Sequence, residues 1–272
     1  MNTYLRYPDG LKKALTLSYD DGVIQDKRLI EIMQKYGLKG TFNINTGLFA
    51  KESGISRKMT EKEAVELYTD SGMEVAVHSY THPFLELLPL HLAFEEIRKD
   101  REEIERLFGG ICRGMAYPNN SFTDGLADGL KDLGILYSRT TDSTEGFTLP
   151  TDWARLPATC HHNNPRLMEL AKKFAERNVR FRSELFYLWG HSYEFDDNDN
   201  WNVIEEFAEY MGGREDIWYA TNIEIFSYIE AFKQLQFSAD GRRVYNPTLY
   251  TLWFSTNGKD LIKVDSGKTM DF

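Results

Sequence analysis

From about residue 12 to residue 235 the sequence alternates between short apolar runs and longer stretches with helical spacing. No other feature limits the fold so strongly. Such alternation calls for parallel strands joined by crossover helices, closed as a barrel or left open. Strand patterns cover residues 12–19, 40–45, 73–77, 111–117, 135–138, 155–159 and 184–189. Helical patterns cover 25–36, 60–72, 92–108, 124–133, 165–177, 201–211 and 221–235. Thr60-Glu61-Lys62-Glu63 and Thr221-Asn222-Ile223-Glu224 are capping boxes that open two of these helices. Gly37, Gly109 and Gly134 stand where helices stop. The number of strand–helix units favours a distorted (β/α) barrel of about seven strands. From Phe237 onward the pattern changes to short strands at 243–245, 249–255 and 261–264. The expected organisation is therefore a main domain over 1–235 and a β-rich extension over 236–272 packed on it. The polar run 196–200 reads as a solvated loop.

A chain of 272 residues, 42% hydrophobic, is long enough for one large α/β domain with a small appendage. Net charge is −10, with acids and bases intermixed, and no basic patch interleaves with aromatics. Nucleic acid is thereby excluded as an expected partner. Residues 1–8 lack the apolar core of a signal peptide. No apolar run reaches the roughly 18 residues that a membrane span needs. The expectation is a soluble cytoplasmic protein without a membrane partner. Cys112 and Cys160 have no CxxC spacing and imply no disulfide framework.

Leu15-Thr16-Leu17-Ser18-Tyr19-Asp20-Asp21-Gly22 reads as a strand that ends on two carboxylates. Side chains alternate along a strand, so Leu15, Leu17 and Tyr19 share a face, and Asp20 and Asp21 point apart. Alone, the acid pair is equally an Asx turn. His78 and His82 lie four residues apart just after another strand pattern. On a helical turn both imidazoles would share a face and grip one ion; unrelated surface histidines are the bland reading. A catalytic zinc site keeps three protein ligands and an open position, and His78, His82 and one carboxylate would complete it. Asp20, Asp21, His78 and His191 all fall at expected C-terminal strand ends, where active residues gather in parallel α/β folds. That shared position points to a metal-dependent hydrolase. His161-His162 reads as a loop pair.

Ser18-Tyr19-Asp20-Asp21-Gly22 resembles the T-F-D-D-G motif of the NodB-homology polysaccharide deacetylases, carbohydrate esterase family four. His78-Ser79-Tyr80-Thr81-His82 resembles that family's H-[ST]-x-x-H motif, and Leu185 to His191 its late strand motif. The resemblance covers roughly residues 10–235. It implies that Asp21, His78 and His82 hold a divalent metal, most simply Zn²⁺, with Co²⁺, Mn²⁺ or Ni²⁺ as alternatives. It implies Asp20 as general base and His191 as general acid. Leu185 and Trp189 would line the acetyl methyl pocket, with Tyr117 and Pro118 also at the substrate. The motif R-P-P-Y-G is altered here to Ala116-Tyr117-Pro118-Asn119. Asn119 would then give its backbone N–H to the oxyanion. The missing arginine leaves Arg155, Arg139 or Arg113 to orient Asp20. Asp152 or Asp196 would orient His191.

The implied function is removal of acetyl groups from N-acetylated amino sugars, the substrate being a carbohydrate or a small acetylated compound. An amide or cyclic-imide hydrolase of the same superfamily, or a silent glycan-binding module, are the alternatives.

Overall fold

The computed structural model describes residues 2–258 and 260–272. A short strand β1 (Thr3–Arg6) precedes the strands that build the centre. These are β2 (Lys13–Asp20), β3 (Gly40–Ile44), β4 (Glu74–Val77), β5 (Gly114–Ala116), β6 (Tyr137–Ser143), β7 (Leu156–Ala158), β8 (Cys160–His161) and β9 (Glu184–Gly190). They hydrogen-bond in the order β7-β6-β5-β4-β3-β2-β9-β8, all in parallel. Only Thr159 separates β7 from β8. Thr144 N–H donates to Ala158 on one side, and Thr159 N–H donates to Tyr187 on the other, at 3.0 and 2.8 Å. One stretch, 156–161, thus leaves β6 and joins β9, closing the sheet into a distorted barrel. β10 (Ile217–Tyr219) adds to the start of β2.

Helices α1 (Asp26–Lys35), α2 (Glu61–Tyr68), α3 (Leu90–Phe108), α4 (Asp124–Gly129), α5 (Leu167–Glu176), α6 (Tyr193–Asp197), α7 (Trp201–Met211) and α8 (Asn222–Lys233) complete the fold. Both capping boxes form as expected. β2 shows how one strand serves two layers. Leu15, Leu17 and Tyr19 face outward and join one core with Leu29, Ile30 and Met33 of α1. Full burial of each such side chain is worth roughly 2 kcal/mol. The alternate residues Thr16, Ser18 and Asp20 face into the barrel and are also buried. That interior is polar. Thr16 Oγ1 donates to Asn222, whose amide donates to the Tyr187 hydroxyl, and Thr41 and Tyr137 donate to Glu74.

A second core joins Leu5, Leu185, Tyr187, Ile225, Tyr228, Leu252 and Phe254. It contains the C-terminal strands β11 (Gln236–Phe237), β12 (Arg243–Tyr245), β13 (Leu252–Thr256), β14 (Asp260–Val264) and β15 (Thr269–Asp271). They form two antiparallel sheets, β1-β13-β14 and β11-β12-β15. Sequence reading missed β1, because its partner lies far along the chain, Thr3 pairing with Thr256. The run 196–200 is also more ordered than a loop. α6 takes in its first residues, with Asp196 accepting from Trp201 and Gln25, and Asp197 from Arg57. Among the described residues, no helix is long and apolar enough to cross a membrane.

Candidate active site

The strand alternation that buries Asp20 inside the barrel would place Asp21 in the outer layer. Asp21 avoids this by taking a left-handed backbone, φ 85°, followed by Gly22 at φ 61°. Its N–H still donates to Asn43, at 2.9 Å. The turn brings the Asp21 carboxylate to the barrel mouth, beside that of Asp20.

His78 follows β4. Its Nδ1–H donates to the Ala116 carbonyl at 2.8 Å, which leaves the Nε2 lone pair facing the site. Burial holds the ring's pKa down to about 4, against the pull of Asp20 and Asp21, so the imidazole is neutral. Asp100 of α3 accepts from the His78 backbone N–H and from Thr46, fixing this corner. His82 reaches the same place, but not on a helical turn as its spacing suggested. The segment is a loop with left-handed residues at Ser79, φ 63°, and His82, φ 57°. Asn45 donates to the carbonyls of His78 and Ser79 and holds that loop. The ring centroids of His78 and His82 lie 4.9 Å apart. His82 Nε2 is 3.7 Å from Asp21 Oδ1. One donor atom from each of Asp21, His78 and His82 lies within 4.8 Å of the others. Two imidazoles and a carboxylate with one shared focus fit a divalent cation.

Lys58 is a neighbour that sequence reading missed. Its ammonium donates to the Asp21 carbonyl at 2.5 Å, to Asp21 Oδ1 at 3.3 Å and to Asn45 at 3.2 Å. It comes from a segment without motif character.

Asp20 is 2% exposed. Burial alone would raise its pKa; Arg139, His78 and His191 outweigh burial and hold it at about 2. Arg139 Nη2 donates to Asp20 Oδ2 and Asn43 Nδ2 to Oδ1. The arginine paired with Asp20 is therefore Arg139 of β6, one of the sequence candidates. Arg155 is corrected: it binds Asp124, Asp128 and Asp152 instead. Asp152 is corrected too, because this bond and a 2.9 Å contact to Ala154 N–H hold it there.

His191 stands over Asp20, with Nε2 4.0 Å from Oδ2. Its other nitrogen, Nδ1, lies 3.1 Å from Oε1 of Glu194, three residues on in α6. Burial lowers the His191 pKa, but Glu194, Asp20 and Asp21 together raise it above the ordinary value. Glu194, rather than Asp152 or Asp196, partners His191. The His-x-x-Glu spacing at a helix start was the available signal.

Asn119 reaches the site, its amide 3.4 Å from His82 Nδ1, on a left-handed backbone of φ 54°. Trp189 also belongs here, its ring 4.4 Å from the Arg139 guanidinium. Pro118 is buried at the turn between them. Tyr117 points away: its ring stacks on Phe122 and its hydroxyl donates to Ala154. Leu185 is likewise not at the mouth. Its register partner is Ala14, six residues before Asp20, roughly 20 Å down the strand. It packs in the second core.

Residues 7–138, with the Asp20-Asp21 and His78–His82 motifs, match the sequence profile of the family described as polysaccharide deacetylase. This segment is similar to the polysaccharide deacetylase family. An uncharacterised Bacillus subtilis protein, YlxY, is 26% identical to this chain over 125 residues, 46% of the chain. The match spans only 36% of that relative. Solved structures share the deacetylase fold. A Mycobacterium smegmatis protein assigned to the polysaccharide deacetylases superposes with TM-score 0.60 at 15% identity, over 85% of this chain and 94% of that one. A family 4 carbohydrate esterase from Streptomyces lividans, solved with acetate, gives 0.54 at 17% identity over 77% and 93%. The peptidoglycan deacetylase PdaC of Bacillus subtilis gives 0.51 at 16% identity over 82% and 94%.

Proposed function

We propose that the protein is a metal-dependent hydrolase that removes acetyl groups from N-acetylated amino sugars. The observation that carries this reading is the pairing of two charges across the mouth. Asp20 is held ionised by Arg139, and His191 stands 4.0 Å from it beside the Asp21–His78–His82 donor set. Asp21, His78 and His82 would hold the cation, which when bound would polarise the acetyl carbonyl and activate water. Asp20 accepts the proton that the attacking water loses as its oxygen bonds to the acetyl carbon. His191 Nε2 then gives its proton to the amide nitrogen as the carbon–nitrogen bond breaks. Acetate and a free amine leave, and the proton on Asp20 is passed to solvent or back to His191. Asn119, whose side chain reaches His82, would offer its backbone N–H to the oxyanion.

The test is acetate release from N-acetylglucosamine oligomers by metal-free and Zn²⁺- or Co²⁺-loaded protein. Metal-dependent acetate supports the reading. Turnover of cyclic imides without acetate release would replace it with imide hydrolysis. Failure to take up metal would favour a silent glycan-binding module.

A further inference from the structure

His161 and His162 lie beside Glu194 at the end of β8, outside the set of groups that the hydrolysis uses. His161 Nε2 is 3.2 Å and His162 Nε2 2.9 Å from Oε2 of Glu194. The Asn163 amide donates to the same oxygen, at 3.0 Å, while Oε1 faces His191. His162 is built in: Tyr19 stacks against it at 5.7 Å and Phe195 at 4.2 Å, and it is 1% exposed. A Cβ on Gly190 would fall 2.0 Å from its ring, so glycine makes the room.

Such a trio, two imidazoles and a carboxylate, has the composition of a second cation site. The hydrogen bonding argues otherwise. Asn163 N–H donates to His161 Nδ1 at 3.1 Å, so the ring proton sits on Nε2 and no lone pair faces Glu194. Neither ring nitrogen of His162 makes a well-aligned hydrogen bond among the described residues, and its Nε2 lies against Oε2 of Glu194 at 2.9 Å.

We propose that His161 and His162 are positioning residues that clamp the Glu194 carboxylate against His191, holding the imidazole by Nδ1–H so that Nε2 faces the site. The clamp rests on the reading of His191 as acid. A carboxylate bonded by Asn163 and His191 and flanked by the rings of His161 and His162 cannot rotate readily, so the His191 ring keeps one orientation. Facing His191 are Glu194 from α6, Asp20 at the end of β2 with Asp21 just after it, and His161 from β8.

The test compares His162→Phe, which preserves the aromatic stack, and His161→Gln with the metal-loaded parent. Expected for His162→Phe is a kcat about tenfold lower with unchanged KM, the scale of losing an outer partner. The alkaline limb of the kcat–pH profile should move to lower pH, and His161→Gln, which retains an N–H donor, should lie close to the parent. Imidazole ¹⁵N–¹H correlation spectra give a readout that needs no substrate: the His191 Nδ1–H signal should shift in folded His162→Phe. An unmoved His191 signal, with unchanged kcat and pH profile, overturns the clamp. So does a second metal equivalent that is lost in His162→Phe. Absent acetate release from every protein, with the His191 signal still shifted, would refute the deacetylase reading while supporting the clamp.

Discussion

Arg139 and Asp20, 119 residues apart, form an ion pair inside the barrel, and their side chains are 0% and 3% exposed. The guanidinium is flanked by the Trp189 ring. The pair is the fixed point of the site, because it keeps an acid charged where burial would neutralise it. Removing one partner leaves the other buried and unpaired, which costs about 3–5 kcal/mol.

Arg139→Met is therefore expected to lose that much stability in urea unfolding and to lower kcat by about a hundredfold. Arg155→Ala should stay near the parent in kcat, since Arg155 sits among Asp124, Asp128 and Asp152. Full activity in Arg139→Met would remove the orienting role.

Asp20 and Asp21 are neighbours in sequence to which the proposed function gives different tasks, and substitution should separate them. Asp20→Asn is expected to keep one metal equivalent and lose turnover by at least about a hundredfold. His82→Ala should lose the metal itself. Metal analysis beside acetate release measures both; near-parental turnover in Asp20→Asn would show that another group is the base.

Gly190 illustrates a position fixed by space. With a Cβ 2.0 Å from the His162 ring, Gly190→Ala must displace that ring or the strand. A loss of about 1–3 kcal/mol is expected, as for other overpacked sites. Thermal or urea unfolding tests it, and an unchanged midpoint would mean that the ring moves freely.

Asp26 predicts a pH dependence of stability. It is fully buried, and although Ser192, Tyr68 and the Val23 N–H bond to it, burial dominates and raises its pKa from 3.8 to about 6. A raised carboxyl pKa favours the protonated folded form. Its contribution is complete below pH 3.8 and is lost as pH rises through about 6; this difference corresponds to about 3 kcal/mol. Unfolding free energies of the parent and Asp26→Asn at pH 4 and pH 7 check this. The parent should lose more stability than the variant over that interval, and parallel curves would contradict the assignment.

Most of what was legible in the sequence was local. The alternation of Leu15, Leu17 and Tyr19 gave a strand with these three on one face and with Asp20 and Asp21 pointing apart; that both faces are buried is a finding of the structure. The two capping boxes and the helix-ending glycines gave the helix limits for the same reason: each is a short-range hydrogen-bonding or backbone requirement. The His78–His82 spacing picked out two rings that the fold does bring together, although their geometry comes from left-handed loop residues and not from a helix.

What the tertiary structure decided were relationships between distant segments. Only the barrel's closure brings β6 across from β2, so only the fold could choose Arg139 over Arg155. Only register could show that Leu185 lies beside Ala14, far from Asp20. Glu194 and His161-His162 acquire meaning only where β8 joins β9. Pattern in a sequence reports the periodicity of one element at a time. Ion pairs, register and shared carboxylates depend on which elements the packed core sets side by side.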